Sequence, residues 1–149
     1  MKLRRILVPV DFSVATANVL QYAEAFARQH NAAMILLHVA QPDRSKEKTL
    51  EEIRGAGEEQ LRKLAEVLWG DMIATEVIVV TGKPYQQIVN GAKEMFADLI
   101  IMGSVSAIGA WGMFRRNTLT RVTRAAPCPV LVVHPIEQQS VRDPSHRLA

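Results

Sequence analysis

Ile6-Leu7-Val8-Pro9-Val10-Asp11-Phe12-Ser13 decides the fold. Its first five residues are apolar without alternation, so a strand built from them is buried on both faces. Pro9 stands near the end of the run, where a missing ladder donor costs least. The run stops at a carboxylate and a serine, residues that open helices. A buried strand handing over directly to a helix is the first half of a parallel βαβ unit.

The rest of the chain repeats this alternation. Residues 14–31 carry Val14, Leu20, Ala23 and Ala27 at helical spacing. Residues 33–39 form a second buried run, and the polar stretch 42–48 is a loop. Leu50, Ile53, Leu61, Leu64, Ala65 and Leu68 then mark a long amphipathic helix. Gly55 and Gly57 weaken it by about 1 kcal/mol each, and Gly70-Asp71 ends it. Residues 73–80 are β-branched and read as a strand. Gly82-Lys83-Pro84 is a turn that opens a helix with a buried stripe of Ile88, Val89, Ala92, Met95 and Phe96. Residues 99–102 are a fourth buried strand. Residues 103–116 have no clean period, 117–126 form a short helix, and Val130–Val133 is a fifth strand closed by Pro135. The order β-α-β-α-β-α-β-α-β implies an α/β domain over 1–135, with one parallel sheet and helices on both faces. A flavodoxin-like or Rossmann-half order of five strands is the simplest. Residues 136–149 read as a flexible polar tail.

Composition narrows the function. The chain has 149 residues, 48% hydrophobic and 22% charged, an ordinary globular mixture for one domain. Apolar runs stop after about six residues, against the roughly 20 of a membrane helix. No secretory signal is read at the start, and the single Cys128 excludes an internal disulfide, so the expectation is a cytoplasmic protein. Charge is uneven. Residues 1–100 hold twelve Lys/Arg against thirteen Asp/Glu, whereas 101–149 hold six arginines against Glu137 and Asp143. That bias reads as a solvated basic face and tail, or as an anion site near 104–124. No helix-turn-helix, zinc finger or aromatic RNA-binding signature accompanies it, so a nucleic-acid partner is not expected.

In such sheets ligands bind beyond the carboxyl ends of the strands, at the switch point. That rule selects Asp11, Val39 and Gly103. Asp11 suits a ribose hydroxyl, adenine or a hydrated metal; it also suits a helix cap shared with Ser13. His38 reads as a packed or hydrogen-bonded core residue. Around Gly103, Ser104, Ser106, Gly109, Asn117 and Thr118 offer small or donating groups, and Arg115 and Arg116 offer charge. The segment is neither a Walker A loop nor a Gly-x-Gly-x-x-Gly turn, and it equally suits a surface loop packed by Trp111, Met113 and Phe114.

Taken together, Ile6 to Ser13, Leu37-His38-Val39, Ala97 to Gly103, and Ala126-Pro127-Cys128-Pro129 leading into Val130–Val133 resemble the universal stress protein family. The resemblance covers Leu3 to Pro135. It implies a flavodoxin-like sheet of order 3-2-1-4-5, a homodimer through the Val130–Val133 edge strand, and binding of ATP or AMP, with Mg if ATP. The family's site carries over to Pro9, Val10, Asp11, Val39, Met102, Gly103, Ser106, Gly109, Arg116, Asn117 and Thr118. The family's Gly-x2-Gly-x9-Gly-Ser/Thr loop is only partly kept. Gly103 matches its first glycine, Ser106 stands for the second, Arg116 for the third, and Asn117 for the Ser/Thr. The adenine and ribose side is thus intact and the triphosphate side altered. The expected function is a nucleotide-binding sensor or regulator in the stress response; the alternative is a dimeric interaction module without nucleotide. No catalytic residue is assigned, since no general base stands by the loop, and slow ATP hydrolysis is the most the sequence suggests.

Overall fold

The computed structural model describes residues 1–104 and 116–134. Along the chain run β1 (Arg5–Pro9), α1 (Thr16–His30), β2 (Ala33–Ala40), α2 (Leu50–Leu68), a 3-10 turn (Gly70–Met72), β3 (Thr75–Thr81), α3 (Pro84–Glu94), β4 (Leu99–Gly103), α4 (Arg116–Ala125) and β5 (Val130–Val133). The strands form one parallel sheet of order β3-β2-β1-β4-β5. The five-stranded flavodoxin-like order expected from the sequence is the order found.

The unbroken apolar runs have a direct cause. In β1, Ile6 and Val8 join a core with α1 and α2, while Leu7 points to the other face, toward α3 and α4. The same split divides Met34, Leu36 and Ala40 from Ile35, Leu37 and Val39 in β2. Both faces are covered, so no position of the central strands needs a polar residue. Ile6, Leu7, Leu36 and Ile100 are fully buried, and each contributes on the order of 1.5–3 kcal/mol of transfer free energy.

The helix boundaries depart from the sequence pattern at two hydrophobic residues. Val14 lies before α1, and its side chain is wholly exposed. Phe96 does not join the buried stripe of α3. It sits past the helix end at φ 52 with an 80% exposed side chain. The Ala97 N–H bonds the Ala92 carbonyl and the Phe96 N–H bonds the Lys93 carbonyl, the paired bonds of a Schellman motif. Ending a helix this way needs a left-handed residue, and here it is a phenylalanine rather than a glycine. Asn31 ends α1 by the same device at φ 52. Gly57 also reads differently in three dimensions. A Cβ there would stand 3.0 Å from the Val79 Cγ2, so its absence lets α2 lie close on β3.

Candidate functional site

The chain leaves β1 at Pro9 and extends one further residue as sheet: Val10 donates its N–H to the Leu37 carbonyl at 2.8 Å. It then turns. Asp11 Oδ1 accepts the Ser13 N–H at 2.9 Å and the Thr16 hydroxyl at 3.2 Å. This is an Asx turn, the local alternative that a short carboxylate side chain offers the backbone. The expected cap role of Asp11 and Ser13 is therefore corrected: Ala15 is the N-cap of α1 and no side chain caps it. Asp11 instead ties the connecting turn to the first helical residue, and among the described residues its Oδ2 has no partner.

Phe12 follows at φ 57. A non-glycine residue there costs about 1–2 kcal/mol, so its surroundings must hold it. His38 supplies that hold. Its Nδ1 lies 2.7 Å from the Val10 carbonyl oxygen. Its ring also meets the Phe12 ring at a centroid distance of 4.7 Å, tilted by 59°. The expectation of a hydrogen-bonded, packed histidine holds, with a loop as its partner.

Sheet register brings the other expected residues to this level. Arg5 to Pro9 pair with Ala33 to Leu37. The same offset, carried on through Val10, sets Asp11 beside Val39. On the other flank Leu7 pairs with Ile100, so Met102 and Gly103 stand beside the end of β1. Gly103 pairs with Val133, and the Ser104 N–H bonds the Val133 carbonyl at 2.8 Å. A Cβ on Gly103 would stand 3.2 Å from the Val19 Cγ2, so glycine permits α1 to pass close. Val39 and Met102 are buried in the core facing α3 and α4.

From Ala125 the chain enters β5 at its start, so α4 runs away from the carboxyl edge of the sheet. Its first turn, with Asn117 exposed and Thr118 buried, therefore opens on the same edge as Asp11 and Gly103. Ser106 and Gly109, and the side chain of Arg116, lie outside the described residues. Cavities do not mark this edge. A groove of about 470 Å³ lined by Arg4, Arg28, Asn31 and Met72 lies at the opposite edge, and one of about 510 Å³ beside β3 is lined by Arg62, Asp71 and Thr75. Neither contains a site residue. We locate the site by the strand ends and the switch point, where backbone groups are unpaired by topology. Among the described residues no cluster of three His, Cys, Asp or Glu side chains is arranged to hold a metal, and no helix is long and apolar enough to cross a membrane.

Sequence reasoning missed two structural roles. His38 was legible as a packed residue but not as a partner of the Val10 carbonyl, because that bond joins positions 28 apart. Asp98 read only as the residue before a strand. Its Oδ2 accepts the N–H groups of Arg4 and Arg5 at 2.8 and 3.0 Å, tying the start of β1 to that of β4.

Residues 2–134 match the model of the universal stress protein family. A universal stress protein of Thermus aquaticus is 32% identical over 136 residues, spanning 87% of this chain and 98% of that one. Among solved structures, a universal stress protein in complex with cAMP superposes with a TM-score of 0.68 at 22% identity, covering 90% of this chain and 98% of that one. One from Archaeoglobus fulgidus in complex with dAMP gives 0.63 at 21%, covering 89% and 98%. The chain spans 44% of another solved universal stress protein from Archaeoglobus fulgidus, so single-unit and longer relatives both occur.

Proposed function

The chain belongs to the universal stress protein family, and we propose that it binds an adenine nucleotide at the carboxyl edge of its sheet and acts as a cytoplasmic sensor or regulator in the stress response. One observation carries the reading: the end of β1, Val39 and Gly103 share a level at the switch point, with the free Oδ2 of Asp11 beside them. A carboxylate oxygen there accepts from ribose hydroxyls. Glycine at the end of β4 leaves a backbone that phosphate can approach. Solved relatives in complex with cAMP and dAMP lend support, since both ligands are adenine nucleotides.

The adenine lies toward Pro9, Val10 and Val39, the ribose by Asp11, and the phosphates toward Met102, Gly103, Ser106, Gly109, Arg116, Asn117 and Thr118. ATP would bring Mg with its phosphates. Because Arg116 and Asn117 stand where relatives of the resembled pattern have glycine and Ser/Thr, the outer phosphates are the part most altered. The test is mass spectrometry of small molecules released on denaturing the purified protein, with calorimetric titration of ATP and AMP. Recovered adenine nucleotide and saturable binding are expected. A blank extract with no heat from either nucleotide overturns the proposal. Arg116→Gly separates two roles for the arginine. Tighter ATP with unchanged AMP means that the missing glycine limits binding, and weaker ATP means that the arginine holds phosphate.

A second reading rests on β5. Val130, Leu131 and Val132 are half-buried on the edge strand of the sheet, and an apolar edge invites pairing. In this reading β5 meets its copy across a two-fold axis, and the dimer is the functional unit with or without nucleotide. Sedimentation at tens of micromolar, a rough working range, should show a dimer. A monomer there counts against it.

A further inference from the structure

The loop that carries Asp11 is held from the side by a residue outside the nucleotide contacts. We propose that His38 is a positioning residue: through the Val10 carbonyl and the Phe12 ring it fixes the Asp11 turn, and so sets the affinity of the ribose side of the site. The inference rests on the nucleotide reading above for its functional part, and on geometry alone for its structural part.

Three observations converge on His38. A carbonyl oxygen only accepts, so the 2.7 Å contact with Val10 requires the proton to be on Nδ1. Phe12 is in the left-handed region, and the imidazole covers its ring at 4.7 Å. From behind, α2 leaves space for the imidazole at a glycine: a Cβ on Gly57 would lie 3.6 Å from the His38 Cδ2. Val10 is thus bonded on both sides, its N–H to the Leu37 carbonyl and its own carbonyl to His38, immediately before Asp11. Asp11 in turn spends Oδ1 on Ser13 and Thr16. With the turn held at both ends, the only freedom left to Oδ2 is the one the ligand uses. His38 faces the core of α1 and α2, whereas Val39, one residue on, faces the opposite core. His38 therefore acts on the turn through contacts independent of those of Val39.

The test uses two variants of the full chain. His38→Phe keeps a ring against Phe12 and removes the donor. His38→Asn places an amide nitrogen at the Nδ1 position and restores the donor. ATP and AMP share the ribose, so both should bind about tenfold more weakly to His38→Phe, the effect of one lost hydrogen bond, and both should recover in His38→Asn. An effect on ATP alone, or wild-type affinity for both in His38→Phe, overturns the functional part. Nitrogen NMR shifts of His38 in the free wild-type protein should report a proton on Nδ1. A neutral ring protonated only on Nε2 overturns the structural part. If wild type binds neither nucleotide, the nucleotide reading has failed by itself. The hold on the turn is then read from hydrogen exchange at the Ser13 amide, which should quicken in His38→Phe and slow again in His38→Asn. Equal exchange in all three proteins removes the proposal.

Discussion

Replacing Asp11 by asparagine and by alanine separates its two tasks. Oδ1 accepts the Ser13 N–H at 2.9 Å and the Thr16 hydroxyl at 3.2 Å, while Oδ2 is the oxygen left for a ligand. Hydrogen bonds to an ionised group contribute roughly 1.5–3 kcal/mol, against about 0.5–1.5 for neutral pairs. Asp11 is half-buried, which favours the lower figures. Asp11→Ala removes both bonds and should cost about 2 kcal/mol. Asp11→Asn keeps an acceptor for the Ser13 N–H and should cost about 1 kcal/mol. For a chain of this length 1 kcal/mol moves the melting temperature by roughly 2–4 °C, so the expected losses are about 4–8 °C for alanine and 2–4 °C for asparagine. Binding should not follow stability. With Oδ1 still on Ser13, the asparagine amide nitrogen occupies the place of Oδ2 and cannot accept a ribose hydroxyl. Asparagine should therefore lose as much nucleotide affinity as alanine, roughly tenfold to 150-fold. Thermal melts and calorimetric titrations of the three proteins read both quantities. Wild-type affinity in Asp11→Asn would refute the ribose assignment, and an unchanged melt in Asp11→Ala would refute the turn.

Phe96→Gly should stabilise the protein by about 1 kcal/mol by denaturant unfolding, because φ 52 suits glycine and the exposed ring has little packing to lose. Gly55→Ala and Gly91→Ala form an opposed pair. Gly55 is exposed with open space around it and should gain about 0.5–1 kcal/mol from helix propensity. A Cβ on Gly91 would stand 2.6 Å from the buried Leu37 Cδ1, so overpacking of about 1–3 kcal/mol should outweigh that gain. Burial pushes the Cys128 thiol above its ordinary range, and the Asp98 carboxylate adds to the rise. Alkylation should therefore be slow at neutral pH, and its rise with pH should move to lower pH in Asp98→Asn. The sign for stability follows. A thiol whose folded pKa is raised contributes stability that is complete below the unfolded thiol's range, about 8.5, and lost as pH climbs through the folded value.

The amino-acid sequence by itself determined the number, order and type of the elements and the two-sided sheet. An unbroken run such as Ile6 to Val10 is compatible only with burial on both faces, and residues separated by three or four mark helices wherever they fall. It also determined which strand ends hold Asp11, Val39 and Gly103, since those positions depend on where each apolar run stops. Tertiary structure alone decided what the polar and aromatic residues do there. Val14 fits the spacing of α1 and is nonetheless exposed, because the Asx turn at Asp11 delays the helix to Thr16. Phe96 fits the stripe of α3 and is exposed because the helix closes in a left-handed residue there. Gly57 reads as a weakness of α2 and proves to be the place where β3 and His38 come close. The bond from His38 to Val10 and those from Asp98 to Arg4 and Arg5 join residues 28, 94 and 93 apart. Periodicity records which face of an element is buried. Partners so distant in the chain are set only when the strands align in register.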